Sequence, residues 1–357
     1  MKTKRILYLS HVSWNWIKQR PQFLAEELSK YYKVTYVQSK VYNKELISNE
    51  TTVPIKKLFR LPFVRFNVIR LLNSLFYKLQ LFFQALKSDI IWMSSPEMLD
   101  YVFPMFLKRK VVIYDCMDDM LELCPPHRIE EFKKLEYRLY DVADVILCSS
   151  QYLSQKLKQR YGEKKITIVN NAIKNDLGGL NAECCKINVK KENIFTITYI
   201  GSIDYWMDFD LIRAIHNRFP KIEFKFWGPN HVDIPQNIGI EYCGVAEHSR
   251  ISKIMEESNL LIMPFIVNEL IKSVNPVKLY EYIYSGKPCL APNYGETEQF
   301  SQFVFLYNTA EDCFDFIEKV MYNRYTHKKK EECEAFALLN TWHARGISIK
   351  NQIESIC

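Results

Sequence analysis

The chain has 357 residues, 48% of them apolar, which predicts two domains, each with its own core. No stretch of about 18 or more uncharged apolar residues occurs, and this excludes a membrane-spanning helix. The net charge is +7, and residues 51–88 contain seven basic residues and no Asp or Glu, so the rest of the chain is formally neutral. A positive charge confined to one segment argues against a protein that wraps nucleic acid.

The N-terminal and cysteine patterns favour a cytoplasmic protein. The sequence Met1-Lys2-Thr3-Lys4-Arg5 runs directly into a predicted strand, with no apolar signal region. The ten cysteines lack the paired spacing of a metal site, so we expect reduced thiols and no bound metal.

Strands and helices alternate along the first half of the chain. The loop after the first strand contains His11, Trp14 and Trp16, and a helix opens near Arg20. The aromatic loop is a candidate for stacking on a sugar or lipid acceptor, with Arg20 beside it, although tryptophans packed at a domain interface are an equal alternative. The predicted strands of this half are Arg5–Ser10, Lys33–Val37, Asp89–Met93, Val111–Tyr114, Asp144–Cys148 and Ile166–Val169.

Residues 66–87 predict an amphipathic helix. The default interpretation docks its apolar side on the core. A basic, Phe-rich run, Lys56–Arg65, precedes it, and each basic residue near an anionic membrane contributes roughly 1 kcal/mol, so we also expect residues 55–87 to touch the inner membrane surface. The residues of the apolar side are Val68, Leu71, Leu72, Leu75, Phe76, Leu79, Phe82, Phe83 and Leu86.

The strand ending at Tyr114 leads into an acidic segment with Asp118 and Asp119. Acidic residues at the carboxyl end of a strand are general-base candidates, and repulsion between neighbours predicts a raised pKa for one of them. Their side chains diverge, so they do not form a metal-binding pair. A helix N-cap is the structural alternative.

A second series of strands and helices follows a segment without periodicity, about 174–193, which contains Gly178-Gly179 and predicts the domain boundary. Two such series predict two doubly wound, mostly parallel α/β domains with a cleft between them. The predicted strands of the second series are Phe195–Ile200, Ile222–Trp227, Ile238–Tyr242, Leu260–Phe265 and Cys289–Ala291.

The segment 273–288 predicts a helix with Asn275 as N-cap, Pro276 at its first position and Gly286 at its end. Such an N-terminus at the carboxyl edge of a parallel sheet favours an anion. Lys278 suits phosphate, and Glu281, on the same face, suits ribose hydroxyls. The pair indicates a nucleotide-sugar site, and an exposed ion pair on an ordinary helix is the alternative.

Over nearly its whole length, the sequence resembles the retaining glycosyltransferases of the GT-B fold, in particular bacterial polysaccharide and teichuronic-acid-type enzymes. The resemblance rests on the order and spacing of Gln19–Ala25, Tyr114–Asp119, Ala143–Ile146, Val169–Ala172, Tyr199–Ile203, Asn275–Tyr282, Ser285–Pro288 and Thr341–Arg345. It implies two Rossmann-like domains facing a central cleft: an acceptor domain (1–178), a donor domain (179–335) and a C-terminal helix (336–357) that crosses back to the first domain.

The resemblance also implies metal-independent, retaining hexosyl transfer from a nucleotide diphosphate sugar to a lipid-linked or growing cell-surface glycan. No cofactor is expected, and a UDP-sugar is favoured over a GDP-sugar. An aspartate near Asp118 and Asp119 resembles the catalytic base of some relatives, with His11 as the alternative. The implied donor-binding residues are Asn171, Gly201, Ser202, Val245, Ser273, Asn275, Pro276, Val277, Lys278 and Glu281.

Two departures from the family pattern leave other functions open. The first glutamate of the family's pair falls at Ser273, and the basic pair often found after the Gly201 loop is absent. The alternatives are a nucleotide-sugar epimerase of the same fold and a non-catalytic nucleotide- or glycan-binding subunit of an export complex.

Overall fold

The computed structural model describes residues 3–39, 51–174, 194–247, 250–326 and 328–356. The chain divides into two compact units. Unit 1 consists of Met1–Asn171 and Trp342–Cys357, and unit 2 consists of Ala172–Thr341. The predicted boundary at 178 lies outside the described residues.

Unit 1 is built on one parallel sheet of seven strands. The strands are β1 (Arg5–Ser10), β2 (Lys33–Ser39), β3 (Ile55–Leu58), β4 (Ile90–Met93), β5 (Val111–Cys116), β6 (Val145–Cys148) and β7 (Ile166–Ile168). Their order is β3-β2-β1-β4-β5-β6-β7, so the direction of winding reverses between β1 and β4. Strands β4 and β6 are buried along their whole length, as expected for a parallel sheet covered on both faces.

The helices of unit 1 come from both ends of the chain. They are α1 (Arg20–Ser29), α2 (Asn67–Lys87), α3 (Pro104–Leu107), α4 (Met120–Leu123), α5 (Ile129–Val142), α6 (Gln151–Tyr161) and, from the C-terminal end, α13 (Trp342–Ile356). Helix α13 packs on α1, where the rings of Phe23 and Trp342 stack at 5.2 Å. It begins at Trp342, later than the predicted 336, because a separate helix precedes it.

Unit 2 repeats the design with a parallel sheet of six strands. The strands are β8 (Phe195–Ile200), β9 (Ile222–Trp227), β10 (Ile240–Tyr242), β11 (Leu260–Ile262), β12 (Cys289–Pro292) and β13 (Phe305–Tyr307). Their order is β10-β9-β8-β11-β12-β13, with the reversal between β8 and β11. The helices are α7 (Phe209–Arg218), α8 (Ile251–Glu257), α9 (Glu269–Lys272), α10 (Val277–Ser285), α11 (Ala310–Met321) and α12 (Lys330–Leu339). The prediction of two doubly wound α/β domains is confirmed.

Helix α2 turns its apolar side to solvent, so the default interpretation that this side docks on the core is wrong. The side chains that it buries are Asn73, Tyr77, Leu81 and Ala85, on the opposite side of the helix. The physical reason is that amide side chains on the polar side bind the backbone of the preceding segment. Of the predicted apolar side, the exposed residues are Val68, Leu71, Leu72, Leu75, Phe76, Leu79, Phe83 and Leu86. Among the described residues, no helix is both long and apolar enough to cross a bilayer.

Candidate active site

The donor candidates of unit 2 lie at the carboxyl edge of its sheet, and Gly201 and Ser202 lie beside the point where the winding reverses, between β8 and β11. In open α/β sheets this is where ligands bind. Gly201 follows β8 directly, and α10 starts at the same edge because helices between parallel strands run antiparallel to them. The backbone N–H of Ile200 donates to the Tyr282 hydroxyl at 2.9 Å, which anchors α10 to the end of β8.

Glycines join the loops that follow β8, β9 and β10. The N–H of Gly201 donates to the carbonyl of Trp227 at 2.8 Å, and the N–H of Gly228 donates to that of Gly244 at 2.9 Å. Gly228 has φ +140°, and a Cβ there would lie 1.9 Å from the Gly201 oxygen. A Cβ on Gly201 would lie 2.5 Å from the Tyr199 hydroxyl. Only glycine fits at position 228, where the clash is with backbone, whereas a side chain at position 201 would have to displace the Tyr199 ring.

Helix α10 has the predicted ends, with a shift of one residue at its start. Pro276 is the N-cap and Val277 the first helical residue, whereas Asn275 and Pro276 were expected in these places. The Asn275 side chain is buried, and its oxygen accepts a hydrogen bond from Tyr280 at 3.2 Å. Gly286 ends the helix in the left-handed region, with φ 69°, as predicted.

Lys278 and Glu281 form an ion pair in the first turns of α10. The Lys278 Nζ lies 2.9 Å from the Glu281 Oε2, and neither side chain is fully exposed. The expectation that both share one face of the helix is therefore confirmed. A cation beside the free N–H groups of a helix start, with a carboxylate one turn further on, offers phosphate and hydroxyl partners side by side.

The remaining donor candidates of unit 2 contribute differently. Ser273 is buried at the end of α9, and its hydroxyl donates to the Leu270 carbonyl at 2.6 Å. Ser202 accepts a hydrogen bond from the Tyr199 hydroxyl on its backbone carbonyl at 2.8 Å. Val245 is 55% exposed beyond the end of β10. Of these three, Val245 has a side chain open to a ligand.

In unit 1 the catalytic candidates also lie at the carboxyl edge of the sheet. His11 follows β1, and both its backbone N–H (3.3 Å) and its ring Nδ1 (3.0 Å) contact the Ser94 hydroxyl, which follows β4. Burial lowers the pKa of His11 to about 4, so the ring is neutral at pH 7. Ser94, the hydrogen-bond partner of His11, was not among the predicted site residues. It could have been found as a polar residue at the end of an apolar strand.

The two adjacent aspartates have different environments. Burial, together with the neighbouring charges of Asp115 and Asp119, raises the pKa of Asp118 to about 6, against the opposing effect of Arg20. Asp119 caps α4, and its carboxylate contacts Arg160 at 2.8 Å and Lys156 at 2.9 Å. Burial alone would raise the pKa of Asp119, but these hydrogen bonds hold it below its usual value. The two neighbouring carboxylates therefore differ in pKa, as predicted, and Asp118 is the one whose pKa is raised.

Two of the three acceptor candidates are buried. Trp14 is fully buried, with its ring edge-on to Tyr36 at 4.8 Å. Arg20 is 2% exposed and donates to the Asp115 carboxylate at 2.7 Å and to the Val169 carbonyl at 2.5 Å. Both residues therefore hold unit 1 together. Trp16, 36% exposed, is the one of the three whose surface is open to an acceptor.

Asn171, the last candidate, lies at the end of unit 1. The Arg345 guanidinium of α13 donates to the carbonyls of Asn170 at 3.2 Å and Asn171 at 3.5 Å, which fixes this turn. Contact between Asn171 and a donor remains a prediction. Within the described ranges, no group of three or more His, Cys, Asp or Glu side chains is arranged to hold a metal ion.

These sheet orders and edges define the GT-B fold, and known structures of that fold superpose on the whole chain. Sucrose-phosphate synthase from Thermosynechococcus elongatus matches with a TM-score of 0.74 and 11% identity, covering 99% of each chain. HepE from Anabaena, in complex with UDP and glucose, matches with a TM-score of 0.72 and 13% identity over 99% of this chain and 100% of the other.

Sequence comparison finds a relative in Bacillus subtilis. TuaH, named provisionally as a teichuronic acid biosynthesis glycosyltransferase, is 26% identical over 254 residues. The match covers 65% of this chain and 64% of TuaH, slightly less than two thirds of that relative's length. No protein-family model matches the chain.

Proposed function

We propose that this chain is a glycosyltransferase that moves a hexose from a nucleotide diphosphate sugar to a lipid-linked or growing cell-surface glycan. The observation on which this rests is the Lys278–Glu281 ion pair, 2.9 Å apart, in the first turns of α10 at the carboxyl edge of the unit 2 sheet. HepE, which shares the fold, was solved with UDP and glucose, and TuaH is named for glycan biosynthesis. These likenesses favour a UDP-sugar as donor.

The diphosphate would bind at the start of α10. The N–H groups from Val277 onward and the positive end of the helix dipole face it, and Lys278 supplies a full charge. Glu281 accepts hydrogen bonds from the ribose hydroxyls. As the sugar leaves, negative charge grows on the diphosphate, and these same groups stabilise it without a metal ion. Gly201 and Ser202 supply backbone at the end of β8. Retention of the sugar's configuration is part of the proposal, and it requires the acceptor oxygen to bond to the anomeric carbon on the same face from which the diphosphate leaves.

Asp118 is the acceptor-side base in this proposal. Its pKa of about 6 leaves most of it ionised at neutral pH, and it stays basic enough to take a proton from an acceptor hydroxyl. Asp119 is excluded from this role because two cations occupy its carboxylate. His11, neutral at pH 7, is the second candidate base, and Trp16 offers its ring to the acceptor. A lipid-linked acceptor places the protein on the inner face of the cytoplasmic membrane.

The test is thermal stabilisation by UDP, GDP, ADP and CMP at equal concentration. A ligand at about 100 times its Kd stabilises by about 2.7 kcal/mol. We expect a shift with UDP that is lost in Lys278→Ala and in Glu281→Gln. Lys133→Ala is the matched control, because Lys133 pairs with Glu130 at the same spacing and the same 2.9 Å, but on α5 of unit 1. No shift with any nucleotide, or equal shifts in all variants, would refute the donor site.

A non-catalytic nucleotide-binding subunit is the second candidate function. Ser273 stands where the family has a glutamate, and its hydroxyl already donates to Leu270. This alternative predicts a UDP shift of normal size without release of UDP or labelled product when UDP-glucose and a lipid-linked acceptor are supplied. Product formation that is abolished in Asp118→Asn would exclude it.

A further inference from the structure

The region from Phe59 to Leu86 exposes twelve large apolar side chains, which together we call the apolar face. Their exposure ranges from 38% for Val64 to 72% for Leu71. Contiguous apolar patches beyond a few hundred Å² are rare on soluble monomers and mark interaction sites. The members of the apolar face are Phe59, Phe63, Val64, Phe66, Val68, Leu71, Leu72, Leu75, Phe76, Leu79, Phe83 and Leu86.

The outward orientation of this face is fixed by hydrogen bonds on the other side of α2. The N–H of Leu61 donates to the Asn73 oxygen at 2.7 Å, and the Asn73 amide donates back to the Leu61 carbonyl at 3.2 Å. Gln80 makes the same reciprocal pair with Phe59, at 2.9 and 3.1 Å. Rotating the apolar side inward would break these hydrogen bonds, each of which contributes about 0.5–1.5 kcal/mol.

The segment before α2 adds aromatic side chains to the apolar face in a constrained conformation. Phe63 has φ 63°, which is unusual for a residue with a side chain, and its ring is 66% exposed. Phe66, 52% exposed, lies under the guanidinium of Arg65 at 4.9 Å. A strained backbone that presents an aromatic ring to solvent is typical of a binding segment.

The charged residues of the segment that carries the apolar face are all positive, and Glu131 of α5 pairs with one of them, Arg70, at 3.4 Å. Residues 51–88 contain no Asp or Glu. Lys57, Arg65 and Lys87 are exposed there, and Lys108 and Arg109 extend the cationic rim beyond the far end of α2. That end is connected to this basic run because the neighbouring Lys110 donates to the Leu86 carbonyl at 3.0 Å.

We propose that the apolar face docks on the surface of an anionic lipid bilayer, with α2 lying in the plane of the interface. Apolar side chains on one face of a helix, with cations at its edges, are the pattern of interfacial helices. A second copy of the chain fits less well as the partner. In such a dimer, residues 51–88 of both copies would bring only cations to the interface, with no carboxylate to balance them. This inference does not depend on sugar transfer.

The experiment is co-sedimentation with vesicles of equimolar phosphatidylcholine and phosphatidylglycerol, compared with phosphatidylcholine alone. The variant Leu71→Ser/Leu79→Ser removes two side chains that are 72% and 56% exposed, so it leaves the core intact. We expect it to lower the partition coefficient at least about tenfold. The matched control is Leu338→Ser/Leu339→Ser on α12, at 69% and 74% exposure, which should bind like the wild type.

The charge contribution is tested with Lys57→Gln, Arg65→Gln and Lys87→Gln. Each should lower binding to the anionic vesicles about fivefold, the equivalent of ~1 kcal/mol. Sedimentation velocity is run in parallel on the wild type and the leucine variant.

Several outcomes would overturn the inference. A wild type that ignores both vesicle types would do so, as would equal binding by the Leu71→Ser/Leu79→Ser variant. So would a wild-type dimer that this variant converts to a monomer, which would identify a second copy as the occupant.

The two proposals can be separated with the Lys278→Ala variant. If it loses its UDP shift and still binds vesicles, vesicle binding does not depend on the nucleotide site.

Discussion

Replacement of Arg20 by Met should destabilise unit 1 strongly, because it leaves the carboxylate of Asp115 without its partner. Asp115 is 0% exposed, and Arg20 supplies its charge-assisted hydrogen bonds at 2.7 and 3.1 Å as well as the bond to the Val169 carbonyl. Removing one member of a buried ion pair costs about 3–5 kcal/mol. For a domain of this size, that corresponds to a fall in Tm of about 6–20 °C.

The same substitution should change the pH dependence of activity. Arg20 lowers the pKa of Asp118, so its removal raises that pKa, and the fall in kcat/KM on acidification should begin at a higher pH than in the wild type. The assays are differential scanning calorimetry and a pH–rate profile. Arg138→Met, an exposed arginine of α5, is the control and should leave both unchanged.

If Arg20 instead binds the acceptor, as the sequence pattern suggests, its replacement should affect acceptor binding and not stability. In that case Arg20→Met would have a Tm within about 2 °C of the wild type and a raised KM for the acceptor. That result would refute the reasoning from burial, and a large loss of stability with an unchanged acceptor KM would support it.

Two other substitutions and one measurement on the wild type test the remaining geometry. Arg160→Met should cost about 2 kcal/mol at pH 7 in urea unfolding; because Asp119 has a lowered pKa, the difference from wild type should shrink as the pH falls below about 4. Gly228→Ala should abolish the UDP shift, because its Cβ would lie 1.9 Å from a backbone carbonyl oxygen, whereas Gly162→Ala, with an equally unusual φ and no neighbour within 4 Å, should retain it. For the wild type, kcat/KM should fall about tenfold per pH unit below pH 6 as Asp118 is protonated, and an activity independent of pH down to 5 would exclude Asp118 as the base.

The regular strands and helix α10 could be predicted from the sequence. The predicted strands Phe195–Ile200 and Ile222–Trp227 match the observed strands residue for residue. In the second strand, buried Ile222, Phe224 and Phe226 alternate with less buried residues, which is the period of two expected of a strand with one face on the core. Strands β3 and β13 were missed, since they are short and one of them, Ile55–Leu58, contains two lysines. The Lys278–Glu281 pair followed from helical spacing alone.

The direction in which side chains point could not be read in the same way. Periodicity identified the apolar side of α2 but assumed that it faces the core, and the hydrogen bonds of Asn73 and Gln80 to residues 59–61 reverse it. Its position beside the aromatic loop suggested that Arg20 binds an acceptor, whereas the side chain pairs with Asp115, which lies 95 residues away in sequence. Such pairings depend on sheet order, which a single sequence does not specify.

Unit 1 is interrupted in sequence by the whole of unit 2, and this order affects folding during synthesis. Unit 2 is one continuous segment and can fold as soon as it leaves the ribosome, whereas unit 1 must wait for residues 342–356. Until then, Phe23 lacks the indole of Trp342, and the carbonyls of Asn170 and Asn171 lack Arg345. A nascent chain released at residue 341 would therefore hold a finished unit 2 attached to an unfinished unit 1, exposing an apolar surface of the kind that chaperones and proteases recognise.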